Sequence, residues 1–274
     1  MNTSLKAALG LVACVALAFS PALRAQEGKT EILWLGQSAF RIKTPGGKVI
    51  VTDPWLINNP TTPKEYKDLD ALGKVDLVLV SHAHADHFED APALVNKTKA
   101  KMVAPAGLQS QVISLNLIPA ELSYRLNKGS VAMPIGGNIK IWQVHAEHDS
   151  ELTYVDPETK KRSTYFGGEP VGYIIELENG FKIYFMGDTG VFGDLRLIGE
   201  THKPDLLMVP VGGHFVLDPR QAAMVTDWIK PKYAIPMHYG TNPVMTGTAA
   251  QYIEAMKDSP TKVYPMKQGE KIEF

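Results

Sequence analysis

From position 31 onward, apolar residues come in short runs closed by Gly, Pro, Asp or Asn, which is the pattern of strands and turns rather than of long helices. Residues 31–35, 39–43 and 48–52 read as a meander, with Thr44-Pro45-Gly46-Gly47 as the hairpin turn between the second and third strands. Residues 76–80 form an almost unbroken apolar run, as in a strand buried on both faces. A helix is expected over 89–100, and strands over 101–104 and 138–144; in the last, Ile139, Ile141 and Gln143 alternate with Lys140, Trp142 and Val144. The second half repeats this grammar. Strands at 171–176 and 181–186 flank the turn Glu178-Asn179-Gly180, and a further strand spans 205–211. A helix over 218–229 starts with Asp218 as N-cap and Pro219 in its first turn. A strand at 233–236 and a closing helix over 246–258, capped by Thr246, complete the pattern. Two strand-rich halves, each carrying helices, predict two sheets packed face to face with helices outside.

Composition narrows this. With 45% hydrophobic and 21% charged residues, the 274-residue chain has the usage of a soluble globular protein. No linker-like stretch interrupts its middle, so one α/β domain over residues 26–274 is expected. A net charge of -1, with Lys160-Lys161-Arg162 as the one basic run, argues against nucleic acid or an anionic membrane as partner. The partner expected is a small-molecule substrate; the pattern is compatible with a homo-oligomer but does not require one.

Residues 1–25 have the form of a signal peptide. Lys6 provides positive charge, residues 7–19 an apolar core too short to span a bilayer, and Ala22-Leu23-Arg24-Ala25 a small-residue cleavage point. Export to the periplasm follows, with no integral membrane segment in the mature chain. The competing reading takes Leu11-Val12-Ala13-Cys14 as a lipoprotein box, although the apolar stretch runs on well beyond Cys14. Cys14 is the sole cysteine, so cleavage after Ala25 removes both disulfides and thiolate from the argument. Any metal site must use His and carboxylate.

Such a site is visible. Ser81-His82-Ala83-His84-Ala85-Asp86-His87-Phe88 begins where a buried strand ends, a place from which loops aim side chains at a ligand. His82 and His84, two apart, project to one side of an extended backbone, while Asp86 and His87 face a second point on the following turn. A single segment cannot complete two metal shells, so further ligands must come from other strand ends. His145 or His148, Asp188 in Gly187-Asp188-Thr189, and His238 in Pro236-Met237-His238-Tyr239-Gly240 occupy such ends.

These residues, in this order, resemble the metallo-β-lactamase superfamily. The His-x-His-x-Asp-His signature at 82–87, the Gly-Asp-Thr at 187–189 and the closing His238 carry the likeness, over roughly residues 31–243. The branch most resembled is that of poorly characterised metal-dependent hydrolases related to ascorbate-6-phosphate lactonase. Gly167-Gly168-Glu169-Pro170-Val171-Gly172 and Pro210-Val211-Gly212-Gly213-His214 support the closer resemblance. It implies a four-layer αβ/βα sandwich holding two divalent metal ions, zinc first and manganese second. One ion would be held by His82, His84 and His148 and the other by Asp86, His87 and His238, with Asp188 bridging. His145 stays an alternative to His148, because Asp149 stands where relatives carry serine. Asp53 matches an early family aspartate and is expected to orient a ligand rather than bind metal.

Two ions about 3.5–4 Å apart can share a water and lower its pKa, so that hydroxide attacks an ester, lactone or phosphodiester without a Ser or Cys nucleophile. Asp86, Asp188 and His214 are the residues assigned to catalysis, His214 because the preceding glycines let its loop approach substrate. Tyr239 is read as a packed tyrosine, His202 as a surface-loop residue, and 156–165 as a solvated hairpin tip whose alternative is a lid. Two other functions compete. A true β-lactamase resembles this chain less, since those enzymes put Cys where Asp188 stands; a non-catalytic metal-binding protein would keep the shell without turnover.

The leader can be checked directly. Terminal sequencing of protein recovered from the periplasm should begin at Gln26, and an acylated Cys14 terminus would establish the lipoprotein reading instead.

Overall fold

In a computed structural model, which describes residues 28–274, the near-continuous apolar strands divide their side chains between two buried faces. The expected leader and Cys14 lie outside the described residues. The first half contributes β1 (Glu31–Gly36), β2 (Ala39–Lys43), β3 (Val49–Thr52), β4 (Leu77–Leu79), α1 (Ala85–Phe88), α2 (Ala91–Thr98), β5 (Lys101–Val103) and α3 (Ala106–Ser114). The second half contributes β6 (Val131–Ala132), β7 (Lys140–His145), β8 (Glu151–Val155), β9 (Arg162–Phe166), β10 (Val171–Glu176) and β11 (Lys182–Phe185). It continues with α4 (Leu195–His202), β12 (Leu206–Pro210), α5 (Pro219–Ile229), β13 (Tyr233–Met237), α6 (Ala249–Ala255), β14 (Lys262–Val263) and β15 (Lys271–Glu273).

One sheet runs β15-β1-β2-β3-β4-β5, the other β14-β13-β12-β11-β10-β7-β6, and β8 pairs with β9 in a separate hairpin. Period-two alternation builds the layers. Ile32, Trp34, Leu77 and Leu79 meet Tyr173, Ile175, Leu206 and Met208 between the sheets. Their neighbours Leu33, Leu35, Val78 and Val80 face outward beneath α2 and α3, while Ile174, Leu207 and Val209 face outward beneath α4, α5 and α6. The result is the expected four-layer sandwich. Among the described residues, no helix is long and apolar enough to cross a membrane.

The direction of the strands places the site. β3, β4 and β5 are parallel, as are β11, β12 and β13. Two antiparallel steps carry β7 through β10 to β11, and two more carry β1 through β2 to β3. The carboxyl ends of β1, β3, β4, β7, β11 and β13 therefore share one rim, which is where parallel sheets put ligands. There the sheets are tied together. Val171 N donates to Ser81 O at 3.0 Å, and the buried Tyr173 hydroxyl donates to Val80 O at 2.7 Å.

Several boundaries move. The helix expected over 89–100 is shortened to α2, and the short α1 precedes it, because Asp90 between them turns inward to accept hydrogen bonds from Leu56 N (2.6 Å) and Ile57 N (3.0 Å). The closing helix starts at Ala249 with Thr248, not Thr246, as cap, since Gly247 N is held by Gly212 O at 2.9 Å. His202 is not in a loop but ends α4, its ring edge-on to Trp142 at 5.6 Å. The Asp218 cap of α5 is as expected and forms a full capping box with Gln221.

At the far end of β3, the carboxylate of Asp76 accepts from Val49 N at 3.0 Å and pairs with Lys48 (3.2 Å) and Lys74 (3.0 Å). Burial opposes its ionisation, but these contacts prevail and hold it below the usual carboxylate range. Its stabilisation is therefore present above the unfolded value and lost as pH falls through the folded one. Asp76→Asn should cost about 1–2 kcal/mol at pH 7, and the gap from the parent in urea melts should close below about pH 4.

Candidate metal centre

Each residue singled out above sits just past a strand end. Asp53 follows β3, the segment from Ser81 to His87 follows β4, His148 follows β7, Asp188 follows β11 and His238 follows β13. The structure brings His82, His84 and His148 into one group, and Asp86, His87 and His238 into another, each with donor atoms within 4.8 Å of one another. In the first, ring centroids are 4.5 Å (His82–His84), 5.0 Å (His82–His148) and 5.2 Å (His84–His148) apart. Asp188 lies between the groups: its Oδ2 is 2.9 Å from His238 Nε2, 3.2 Å from His87 Nε2, 3.6 Å from His148 Nε2 and 4.0 Å from His82 Nε2.

The electrostatics differ between the groups. Burial, with His87 next to it, holds His82 well below the usual imidazole range, and burial likewise lowers His148. Neutral imidazoles with free lone pairs are what a cation requires. Around the second group carboxylates dominate. Burial alone would lower His87, but Asp188, Asp86 and Asp53 drive it well above its ordinary value, and Asp188 pushes His238 up to about 9 against the same burial. Asp86 and Asp188 are held far below the carboxylate range by His87 and His238, although burial opposes this. A dry site this rich in negative charge calls for positive charge at its centre.

The donors fit a metal by a second criterion. His82 Nε2, His87 Nε2 and Asp188 Oδ1 are buried with no hydrogen-bond partner. Each orphaned group costs about 1–3 kcal/mol unless a ligand satisfies it. The opposite nitrogens, in contrast, are engaged. Asp53 Oδ2 accepts from His87 Nδ1 at 2.7 Å, and Ser81 Oγ lies 2.6 Å from the same oxygen and 3.0 Å from His82 Nδ1. Asp53 thus orients two histidines, the role expected of it.

Four supporting residues escaped the sequence reading. Gln37, between β1 and β2, donates from Nε2 to Asp86 Oδ2 at 2.9 Å and lies 2.8 Å from His238 Nε2, while Thr241 Oγ1 donates to Gln37 Oε1 at 2.5 Å and fixes the amide's orientation. Glu151 on β8 approaches His84 Nε2 at 3.0 Å. Ser150 accepts from Ala83 N at 3.2 Å, so it rather than the exposed Asp149 braces the ligand loop. The one available signal was a polar Gly-Gln-Ser link between two apolar strands. Strain gathers here too: Asp53, Gln37 and His238 have φ of +36°, +50° and +58°, a left-handed conformation costing such residues about 1–3 kcal/mol each. Gly212 is needed because a Cβ there would lie 2.2 Å from His238 O.

Other candidates lie elsewhere. His145 stays outside the centre; it neighbours Glu147 at 3.2 Å and Lys128 at 3.3 Å, and its ring meets Phe192. His214 is exposed and stacks edge-on with Phe215 at 4.4 Å, and it is Phe215 that lines the central cavity. Tyr239 packs on Trp34 at 5.4 Å and is pushed up to about 12 by burial. The segment 156–165 forms the tip and second strand of the β8–β9 hairpin, and its basic residues do not line the cavity.

Residues 31–238 match the family described as a beta-lactamase superfamily domain, and the chain belongs to that family. Within it, the nearer likenesses are to metal-dependent hydrolases. A protein described as a UPF0173 metal-dependent hydrolase from Polaromonas sp. (strain JS666) is 55% identical over 267 residues, covering 96% of this chain and 97% of that one. Its counterpart from Cupriavidus necator is 53% identical over 257 residues, covering 93% and 89%. Among solved structures, Igni18, a metallo hydrolase from Ignicoccus hospitalis, superposes with a TM-score of 0.77 at 28% identity, covering 90% of this chain and 98% of that one.

The Asp53 contacts lead to a test. In Asp53→Asn the amide NH₂ would face His87 Nδ1 and force the tautomer whose proton sits on Nε2, the atom aimed at the centre. Zinc affinity, measured by competition with a chromophoric chelator, should fall about 10–100-fold, with circular dichroism unchanged.

Proposed function

We propose that the chain is an exported, periplasmic hydrolase that holds two divalent cations, zinc or manganese, and cleaves a small ester, lactone or phosphodiester with water. His82, His84 and His148 hold one ion, Asp86, His87 and His238 the other, and Asp188 serves both. The observation that carries this reading is the position of Asp188 Oδ2, a single buried oxygen within 4.0 Å of histidines from both groups.

When bound, the ions would activate water as the nucleophile and polarise the oxygen of the bond under attack. The protein's own groups set up that event. Asp53 and Ser81 engage Nδ1 of His87 and His82 and so aim the Nε2 atom of each ring at the centre. Glu151 does the same for His84 from the opposite side, leaving His84 Nδ1 free. Gln37 Nε2 donates to Asp86 Oδ2 and holds that carboxylate oxygen at the cavity floor, facing the space a substrate would enter. Preorganisation of this kind spares reorganisation at the moment of reaction.

The mature chain, stripped with a chelator, should lose turnover of a panel of esters, lactones and phosphodiesters and regain it with Zn²⁺ or Mn²⁺. Asp188→Ala should lower kcat/KM at least 100-fold with the fold intact, in line with the loss of a charge-stabilising group. Turnover indifferent to chelator, or stoichiometric metal with no turnover on any class, would overturn the reading.

A further inference from the structure

The cavity above the metal centre has a volume of about 350 Å³, at the lower end for small-molecule sites. Its floor is Asp86, Asp188 and the histidines. Its wall is apolar: Trp55, Phe215 and Met245 face the floor from three different loops. Among the described residues that line it, none is Lys or Arg. The polar rim residues are neutral, Thr241 donating to Gln37 Oε1 and Asn242 Oδ1 accepting from Val244 N at 3.1 Å. A substrate's reacting bond thus meets charge, while the rest of it meets hydrocarbon and aromatic rings. A remote phosphate or carboxylate pressed against that wall would lose its water with no cationic side chain to replace it.

The wall is also fixed in place. The Trp55 loop is pinned by Asp90, which accepts from Leu56 N and Ile57 N, and by Asn59 Nδ2 donating to Trp55 O at 3.1 Å. The Phe215 loop is closed by Gly213 N to Leu217 O at 3.0 Å and Leu217 N to Thr189 O at 3.1 Å. That second bond starts beside Asp188. Phe215 is 49% exposed, a large apolar group at the mouth of a polar site. Together with Trp55 and Met245 it gives the cavity an apolar wall that a ligand's hydrocarbon part can cover.

We infer that the substrate is an uncharged carboxylic ester or lactone whose non-reacting part is a short hydrocarbon chain or ring, seated against Trp55, Phe215 and Met245. This rests on the hydrolase reading above. The reaction adds the oxygen of water to the acyl carbon, breaks the acyl C–O bond, and gives the departing alkoxide a proton from that water, yielding acid and alcohol. The remote end of the acyl group determines which esters are chosen. A phosphorylated lactone, with its charge far from the scissile bond, is refused by the wall.

The test uses the metal-loaded mature chain and two kinds of probe. p-Nitrophenyl acetate, butyrate and hexanoate should show kcat/KM rising about fourfold per methylene until the wall is covered. The mono-p-nitrophenyl ester of adipic acid, with a terminal carboxylate, should fall at least tenfold below the hexanoate. Methyl ketones of four, six and eight carbons, which cannot be hydrolysed, should show the same increment in binding by calorimetry. Phe215→Ala and Trp55→Ala should each flatten the chain-length series at least twofold per methylene in both assays. A flat ester series, or an adipate as good as the hexanoate, overturns this inference while leaving the hydrolase reading intact. Ketones that bind with the full increment, alongside no turnover of any ester, lactone or phosphodiester, support the apolar wall and sink the hydrolase reading; phosphodiester turnover with no ester or lactone turnover keeps the hydrolase reading and overturns this inference.

Discussion

Three buried or half-buried carboxylates, Asp53, Asp86 and Asp188, stand against His82, His87 and His238 in a region nearly closed to water. Taking such charges out of water costs several kcal/mol each unless positive charge returns the loss. Everything else at this rim follows from that constraint. Protons on His87 and His238 meet it in the metal-free protein, as their raised affinities show. A divalent cation meets it better, because it also takes up the orphaned lone pairs of His82, His87 and Asp188.

A constraint this costly needs a rigid frame. The sandwich supplies one by burying large side chains along its central strands, β1, β3, β4 and β10 to β13, each worth about 1.5–3 kcal/mol. That reserve tolerates left-handed backbone at Asp53, Gln37 and His238, the positions that turn the chain away from its strand and toward the centre. Gln37 shows how far the coupling reaches. Its carbonyl accepts from His238 N at 3.2 Å and Trp34 Nε1 at 3.0 Å, while its amide reaches Asp86, so one residue joins both sheets to the second ligand group.

Much of this was legible in the sequence because the signals are local. The ladder of short apolar runs gave most of the central strands within a residue or two, and ligand-type residues at their ends gave the centre. What stayed hidden depends on partners distant in the chain. β14 and β15 are two and three residues long and gain their hydrogen bonds from β13 and β1, so no local pattern marks them. α3 has a weak amphipathic stripe and follows a strand without a polar cap. Glu151 lies in a hairpin of alternating polar residues, and only the packing of that hairpin against the ligand loop brings its carboxylate to His84. His214 drew attention through the glycines before it, and the loop does reach the cavity, but it presents the neighbouring Phe215 there while His214, at φ of +60°, stays exposed outside the lining.

The ligand chemistry and the proposed export also bear on each other. An oxidising compartment puts thiolate ligands at risk of disulfide formation or oxidation, which would release a bound metal. Beyond Cys14 the chain has no cysteine, so nitrogen and oxygen donors carry the whole centre and no disulfide props up the fold. Imidazole and carboxylate keep their ligating form there, and pH rather than redox poise becomes the variable that governs loading. The two groups respond to it unequally. Burial lowers the proton affinity of His82 and His148 and so favours their ligating form, whereas the carboxylates around His87 and His238 raise theirs and set proton against ion. The carboxylates that attract the cation to the second group are the same ones that hold those protons in place, so metal and proton compete there for one negative field.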